Sequence, residues 1–159
     1  MEILTKIKVL KMSRIAIMEV KYLEYNRRNW LPHLIVQKYL IEKHFDWLTL
    51  KLSDFSLVGE GAVPIQDKKF NISLKYSPFY RSIRKERISI TNEKIKFNHK
   101  IHVYGDLTLC LYHPILDSPY NGIMPLFKMI PWISEWCHFY EEWKKYRVWL
   151  APEIKHDLI

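Results

Sequence analysis

One of the two cysteines in this 159-residue chain, Cys110, sits where a thiol could react. The run "IHVYGDLTLCLYHP" places it eight residues after His102 and three before His113. A thiol is a nucleophile or a metal ligand only as the thiolate, and a nearby imidazole can lower its pKa or take its proton. His102 and His113 are therefore its candidate partners. Asp117, in the turn-rich stretch that follows, could orient or deprotonate an attacking amine. Other readings of the same residues stay open. A lone cysteine is commonly a small buried filler, and a histidine before a proline is commonly a capping or surface group. His99, His102, Cys110 and His113 would be donors enough for zinc, but their spacing does not ensure that they converge. A cysteine hydrolase would call for a nucleophile at a helix start, a pattern absent here. Cys137, between Trp136 and His138, reads as core.

The elements that must position these residues follow from hydrophobic period. From Leu34 to Leu48, apolar side chains at Leu34, Tyr39, Leu40, Ile41, Phe45 and Leu48 predict an amphipathic helix, with Pro32 at its first turn. Alternation of Phe70, Ile72, Leu74 and Tyr76 with polar neighbours predicts a strand with one buried face. The preceding "SLVGEGAVPIQ", with two glycines and a proline, predicts a weaker strand at an edge or with a bulge. "ERISI", "KIKF" and "LTLCLY" add short extended segments. In "IPWISEWCHFYEEWKKYRVW" the residues Trp132, Trp136, Phe139, Tyr140, Trp143 and Tyr146 make a broad aromatic helix face, with Pro131 suited to the first helical position. Helix, meander and helix in that order predict an α+β fold, one antiparallel sheet covered mainly on one side.

The totals narrow the function. A chain of this length buries one good core, so 1–159 reads as one domain, with the core from about residue 30. Residues 1–29 read as an N-terminal extension, for which Met12 and Met18 are alternative starts. The chain shows no secretory signal and no apolar run near the ~20 residues of a membrane span, so a reduced, cytoplasmic protein is expected. Lysine and arginine number 25 against 17 acidic residues, with Arg81, Arg84, Lys85, Arg87, Lys94, Lys96 and Lys100 close together. Such a cluster is a solvated basic face or, on composition alone, a nucleic-acid contact.

Set beside "IPWISEWCHFYEEW" and "VWLAPEIKH", the cysteine run resembles the bacterial branch of the ubiquitin-conjugating enzyme family, including the conjugating-like proteins of CBASS antiphage operons. The resemblance covers roughly Trp30 to the C-terminus. It implies a ubiquitin-conjugating fold: a four-stranded antiparallel meander with an N-terminal helix and C-terminal helices packed on it. It also implies that Cys110 takes the C-terminal tail of a partner as a thioester and passes it to an amine. The implied partner is a cGAS-like nucleotidyltransferase, with an acceptor protein beyond it. In the family a His-Pro-Asn tripeptide ends eight residues before the cysteine; here that tripeptide is Lys100, Ile101 and His102, so His102 stands where the Asn donates a hydrogen bond. No firm family counterpart exists for His113. The chemistry implies no cofactor or metal, and the chain lacks a phosphate-cradling glycine loop for adenylation. The rivals are a non-catalytic partner-binding module of the same fold and a basic nucleic-acid-binding domain.

Overall fold

The computed structural model describes residues 28–114, 116–117 and 123–152. Four strands, β1 (Leu48–Ser53), β2 (Ser56–Ile65), β3 (Lys68–Tyr76) and β4 (Glu86–Ile90), pair antiparallel in chain order. The first hairpin closes on Asp54 and Phe55, whose φ of 45° and 59° give the backbone twist that antiparallel strands favour at a two-residue turn. One face of the sheet carries the core: Leu48 and Leu50, Leu57 and Val63, Phe70, Ile72, Leu74 and Tyr76, then Ile88 and Ile90. The alternation read in β3 is thus the alternation observed.

β2 departs from its expectation. It is an interior strand, paired unbroken with β3 from Leu57 to Ile65 and with β1 from Ser56 to Gly61. Its glycines serve close packing instead of a bulge: a Cβ on Gly61 would strike the Trp47 carbonyl oxygen and come within 3.1 Å of Leu48 Cα. Pro64 lies past Gly61, the last β2 residue with a partner in β1, so its missing N–H interrupts no ladder on that side.

The first helix, α1, is described from 28 to 44, so Pro32 falls inside it. Leu34, Gln37 and Ile41 face inward, whereas Tyr39 is 62% exposed and Leu48 already belongs to β1. Of the expected extension 1–29, only 28 and 29 lie among the described residues, and both are helical. The second helix, α2 (Leu126–Tyr146), starts five residues before Pro131. The proline that introduces it is Pro125, at φ −65°. Leu126, Met129, Ile130, Ile133, Trp136, Cys137 and Tyr140 form its buried stripe, a spacing of three and four that offsets the bond lost at Pro131. The aromatic face is therefore rotated from expectation: Trp132 and Trp143 flank the core, Phe139 lines a cleft, and Tyr146 is exposed. α2 is also the one C-terminal helix among the described residues, where several were expected.

Side chains tie the two helices to the sheet. Gln37 Oε1 accepts the Phe127 N–H at 2.8 Å, supplying the cap that Pro125 cannot give α2. Tyr76 donates to the Met124 carbonyl at 3.0 Å, with His33 Nε2 2.8 Å from the same hydroxyl.

Two of the short segments are not strands. "KIKF" runs as an irregular chain beyond β4. The Asn92 side chain accepts from Asn71 N and donates to the Lys69 carbonyl, both at 2.8 Å, taking the bonds that a longer β4 would make with β3. "LTLCLY" makes a single bridge, Val103 to Leu109, and one bond from Leu109 N to Ile88 O on β4. No helix among the described residues is long and apolar enough to cross a membrane.

Candidate functional site

The residues around Cys110 are held by a loop that folds back on itself. A 3-10 turn, His99–Ile101, is capped by Asn98 Oδ1, which accepts the Lys100 N–H at 2.9 Å, and the chain then leaves through His102 in the left-handed region, at φ 51°. Histidine, like asparagine, is enriched among the non-glycine residues that tolerate this conformation. The turn beyond is closed by Tyr104 N to Thr108 O at 2.8 Å and by Asp106, whose carboxylate accepts from the Thr108 N–H and hydroxyl. The returning segment brings Cys110 N to 2.8 Å from the His102 carbonyl. Trp136, reaching from α2, donates its indole N–H to the carbonyls of Ile101 and His102 at 3.0 and 3.1 Å. His102 and Cys110 are therefore brought together through the backbone, and a helix side chain fixes the junction.

A cleft of about 270 Å³ opens over this junction. Cys110 and His102 share it with His113 and with aromatic walls from Trp132, Trp136, Phe139 and Trp149. The His102 and Trp149 rings lie 5.2 Å apart. Asp117 and Glu135 are its acidic lining residues, and among the described residues no lysine or arginine lines it, although the chain carries a net charge of +8. Cys110 is partly exposed there, whereas Cys137 is 0% exposed within α2, the core position expected for it. Burial, aided by Glu141, pushes the Cys137 thiol up to about 12.

The Cys110 thiol is also raised above its ordinary value, chiefly by burial, with the Glu86 carboxylate adding to the effect. A hydrogen bond from Tyr104 and the positive charge of Arg84 act in the opposite direction. Arg84 Nη2 donates to Thr108 Oγ1 at 2.7 Å, its Nε lies 3.4 Å from Glu86 Oε1, and Glu86 Oε2 accepts from Tyr112 at 3.0 Å. Desolvation raises the Glu86 carboxyl as well. Tyr104, Arg84, Glu86 and Tyr112 are the site residues that sequence reasoning passed over. Tyr104 stood inside the quoted run, and Arg84 stood inside the basic cluster.

That cluster is not one solvated face. The Arg84 side chain is 12% exposed, and Lys85 is buried with its ammonium on the Tyr80 carbonyl. Arg87 lies over the Tyr80 ring, leaving Arg81, Lys94, Lys96 and Lys100 exposed. His113 is buried: its ring Nδ1 accepts the Leu116 N–H at 3.1 Å, and its backbone N–H donates to Asp117 Oδ2 at 2.7 Å. Both side chains thus brace the loop after the cysteine. Among the described residues no three His, Cys, Asp or Glu side chains converge to hold a metal, and His99 instead packs on Phe97, with ring centres 4.9 Å apart.

The structure is an α+β protein, a four-stranded antiparallel meander with an N-terminal and a C-terminal helix, that carries a partly exposed cysteine on an aromatic cleft. Residues 37–157 match the family model of the Type II CBASS E2 protein, and the chain belongs to that family. Membership implies the ubiquitin-conjugating-like fold and a conjugating-type role in CBASS antiphage defence. No curated protein and no solved structure matches the chain.

Proposed function

We propose that 1–159 is a single conjugating-type domain and that the protein is a transferase whose Cys110 accepts the activated C-terminal tail of a partner as a thioester and passes it to an amine. The observation that carries this reading is the placement of Cys110: its backbone is pinned to His102, and the residue, partly exposed, lines an aromatic cleft of about 270 Å³. Thioester chemistry needs a usable thiolate, a donor for the developing oxyanion and a surface for the tail. His102, at the tripeptide position and lining the same cleft, is the proposed oxyanion donor. His113 acts indirectly, by fixing the loop that carries Asp117, and Asp117 on the cleft wall receives the incoming amine.

The raised thiol gives the step a resting state. Burial, which raises the thiol, favours its protonated form and so lowers its reactivity until a proton acceptor takes the proton. The family setting makes a CBASS cGAS-like nucleotidyltransferase the proposed source of the tail. The acidic side chains on the cleft wall, Asp117 and Glu135, favour a tail whose last residues are neutral or basic.

The test is co-expression with the neighbouring operon genes, comparing wild type, Cys110→Ala and Cys110→Ser on non-reducing gels. The expected result is an adduct that reductant removes in wild type, none in Ala, and a reductant-resistant ester in Ser. Identical gels for all three would refute the proposal in favour of a partner-binding module.

A further inference from the structure

Beyond α2 the chain turns back to the cysteine cleft. The helix ends at Tyr146, and Arg147, in the left-handed region at φ 60°, caps it by donating its N–H to the Trp143 carbonyl at 2.8 Å. The Arg147 guanidinium lies 5.0 Å from the centre of the Trp143 ring. Two residues on, the Trp149 ring is centred 5.9 Å from Phe139 and 6.0 Å from Trp136. Phe139 precedes the end of α2 by about two turns, or ~10 Å, so the segment doubles back along the helix. The same indole lies 5.2 Å from the His102 ring on the cysteine loop. One side chain thus bridges α2 and the cysteine loop, and Trp149, Ala151 and Pro152 form part of the cleft wall. Among the described residues no backbone hydrogen bond joins 148–152 to the rest of the protein. Val148 and Leu150 are each 56% exposed, whereas Trp149 between them is half-buried and packs against the core. The segment is anchored at Arg147, and the ring contacts of Trp149 seat it.

We propose that 148–152 is a lid on the Cys110 cleft, hinged after Arg147 and latched by Trp149, which opens to admit a large acyl donor to the thiol. Its use by a partner's tail rests on reading Cys110 as the acyl acceptor. The three ring pairs of Trp149 fall within the range of separations at which aromatic side chains attract, and each favours the seated indole by about two- to tenfold. The latch is therefore firm enough to keep the lid shut in most molecules and weak enough to release without unfolding α2. A small molecule reaches the partly exposed Cys110 with the lid seated, whereas a tail that carries a whole protein calls for the indole to leave. Seating also fixes the His102 ring against Trp149, so the same movement that opens the cleft frees the proposed oxyanion donor to turn toward the incoming carbonyl.

The test compares two alkylating reagents on the full chain, iodoacetamide and an iodoacetamide that carries a fluorescein. Both react through the same group, so the ratio of their rates at Cys110 cancels the thiolate fraction and reports access alone. Rates are read by mass spectrometry of the Cys110 peptide in wild type, Trp149→Ala, Trp149→Phe and Leu150→Ala. The rate of the bulky reagent relative to the small one is expected to rise about tenfold in Trp149→Ala, the loss of the ring contacts, and by a smaller step in Trp149→Phe. Leu150→Ala, on the exposed side of the same segment, is expected to leave the ratio as in wild type. Cys137, 0% exposed, is the internal control, because its labelling reports global unfolding. If Trp149→Ala labels Cys137, Trp149→Phe decides in its place. A ratio that does not rise while Cys137 stays unlabelled overturns the proposal, as does an equal rise in Leu150→Ala. Because labelling needs no partner, failure of the wild type to form an adduct would refute the thioester reading without altering this ratio.

Discussion

Replacing Trp136 by Phe tests how α2 governs the cysteine loop. The indole N–H is shared between the carbonyls of Ile101 and His102, and Trp136 is 3% exposed. Phenylalanine removes the donor where water has little access. The His102 carbonyl keeps the Cys110 N–H, but losing the other bond costs about 1–3 kcal/mol. The smaller ring leaves space against Tyr140 and Trp149, worth about 1–2 kcal/mol more. A total near 2–5 kcal/mol corresponds to a fall in Tm of about 6–15 °C for a chain of this size. Trp143→Phe is the control, since that ring lies at the flank of α2, and about 1 kcal/mol is expected there. Thermal melting gives the global figure, and hydrogen exchange at the Cys110 amide gives the local one, which should rise in Trp136→Phe only. Equal melting temperatures for the two variants, with Cys110 exchange unchanged, would refute the reasoning.

Gly61→Ala should destabilise by about 3 kcal/mol or more in chemical denaturation, because its Cβ meets the backbone of Trp47 and Leu48. Gly59→Ala should cost less, since its closest neighbour, Leu50 Cδ2 at 2.5 Å, is a side-chain end that can turn. Gln37→Ala leaves the Phe127 N–H buried without its cap and should lower stability by about 1–3 kcal/mol, read by a circular dichroism melt. Cys137 contributes to the alkaline limb of stability. Its folded pKa, about 12, lies above the unfolded value, so its contribution is complete below the ordinary thiol range and is lost as pH rises toward 12. The stability advantage of wild type over Cys137→Ala should shrink across that window in denaturant titrations.

The sequence showed the parts of the fold that repeat. β3 was legible because Phe70, Ile72, Leu74 and Tyr76 alternate against one core, and β4 because "ERISI" does the same. β2 was misjudged because glycine and proline read as weakness locally. Only the register shows that Gly61 makes room for Trp47 and that Pro64 lies past the end of β1. In α2 the tryptophans suggested the buried face, and Trp136 does join it, but Met129, Ile130 and Ile133 carry much of it, and Trp132 and Phe139 line the cleft. Cys110 and His102 were legible through the quoted run and the family resemblance, and their contact follows from the loop folding back at Val103 and Leu109. Arg84 was not: its charge placed it at the surface, and only the tertiary arrangement of Glu86, Thr108 and Tyr104 draws it inward.

The central claim, that Cys110 carries an acyl group, is tested most directly by intact-mass and peptide mapping of the protein purified from cells expressing its neighbouring operon genes. The account predicts a species whose mass is that of the two chains less one water. Its bond should map from the partner's terminal carboxyl to Sγ of Cys110, be released by neutral hydroxylamine, and be absent from Cys110→Ala. A covalent species that persists in Cys110→Ala, or a bond mapping to another residue, would contradict it.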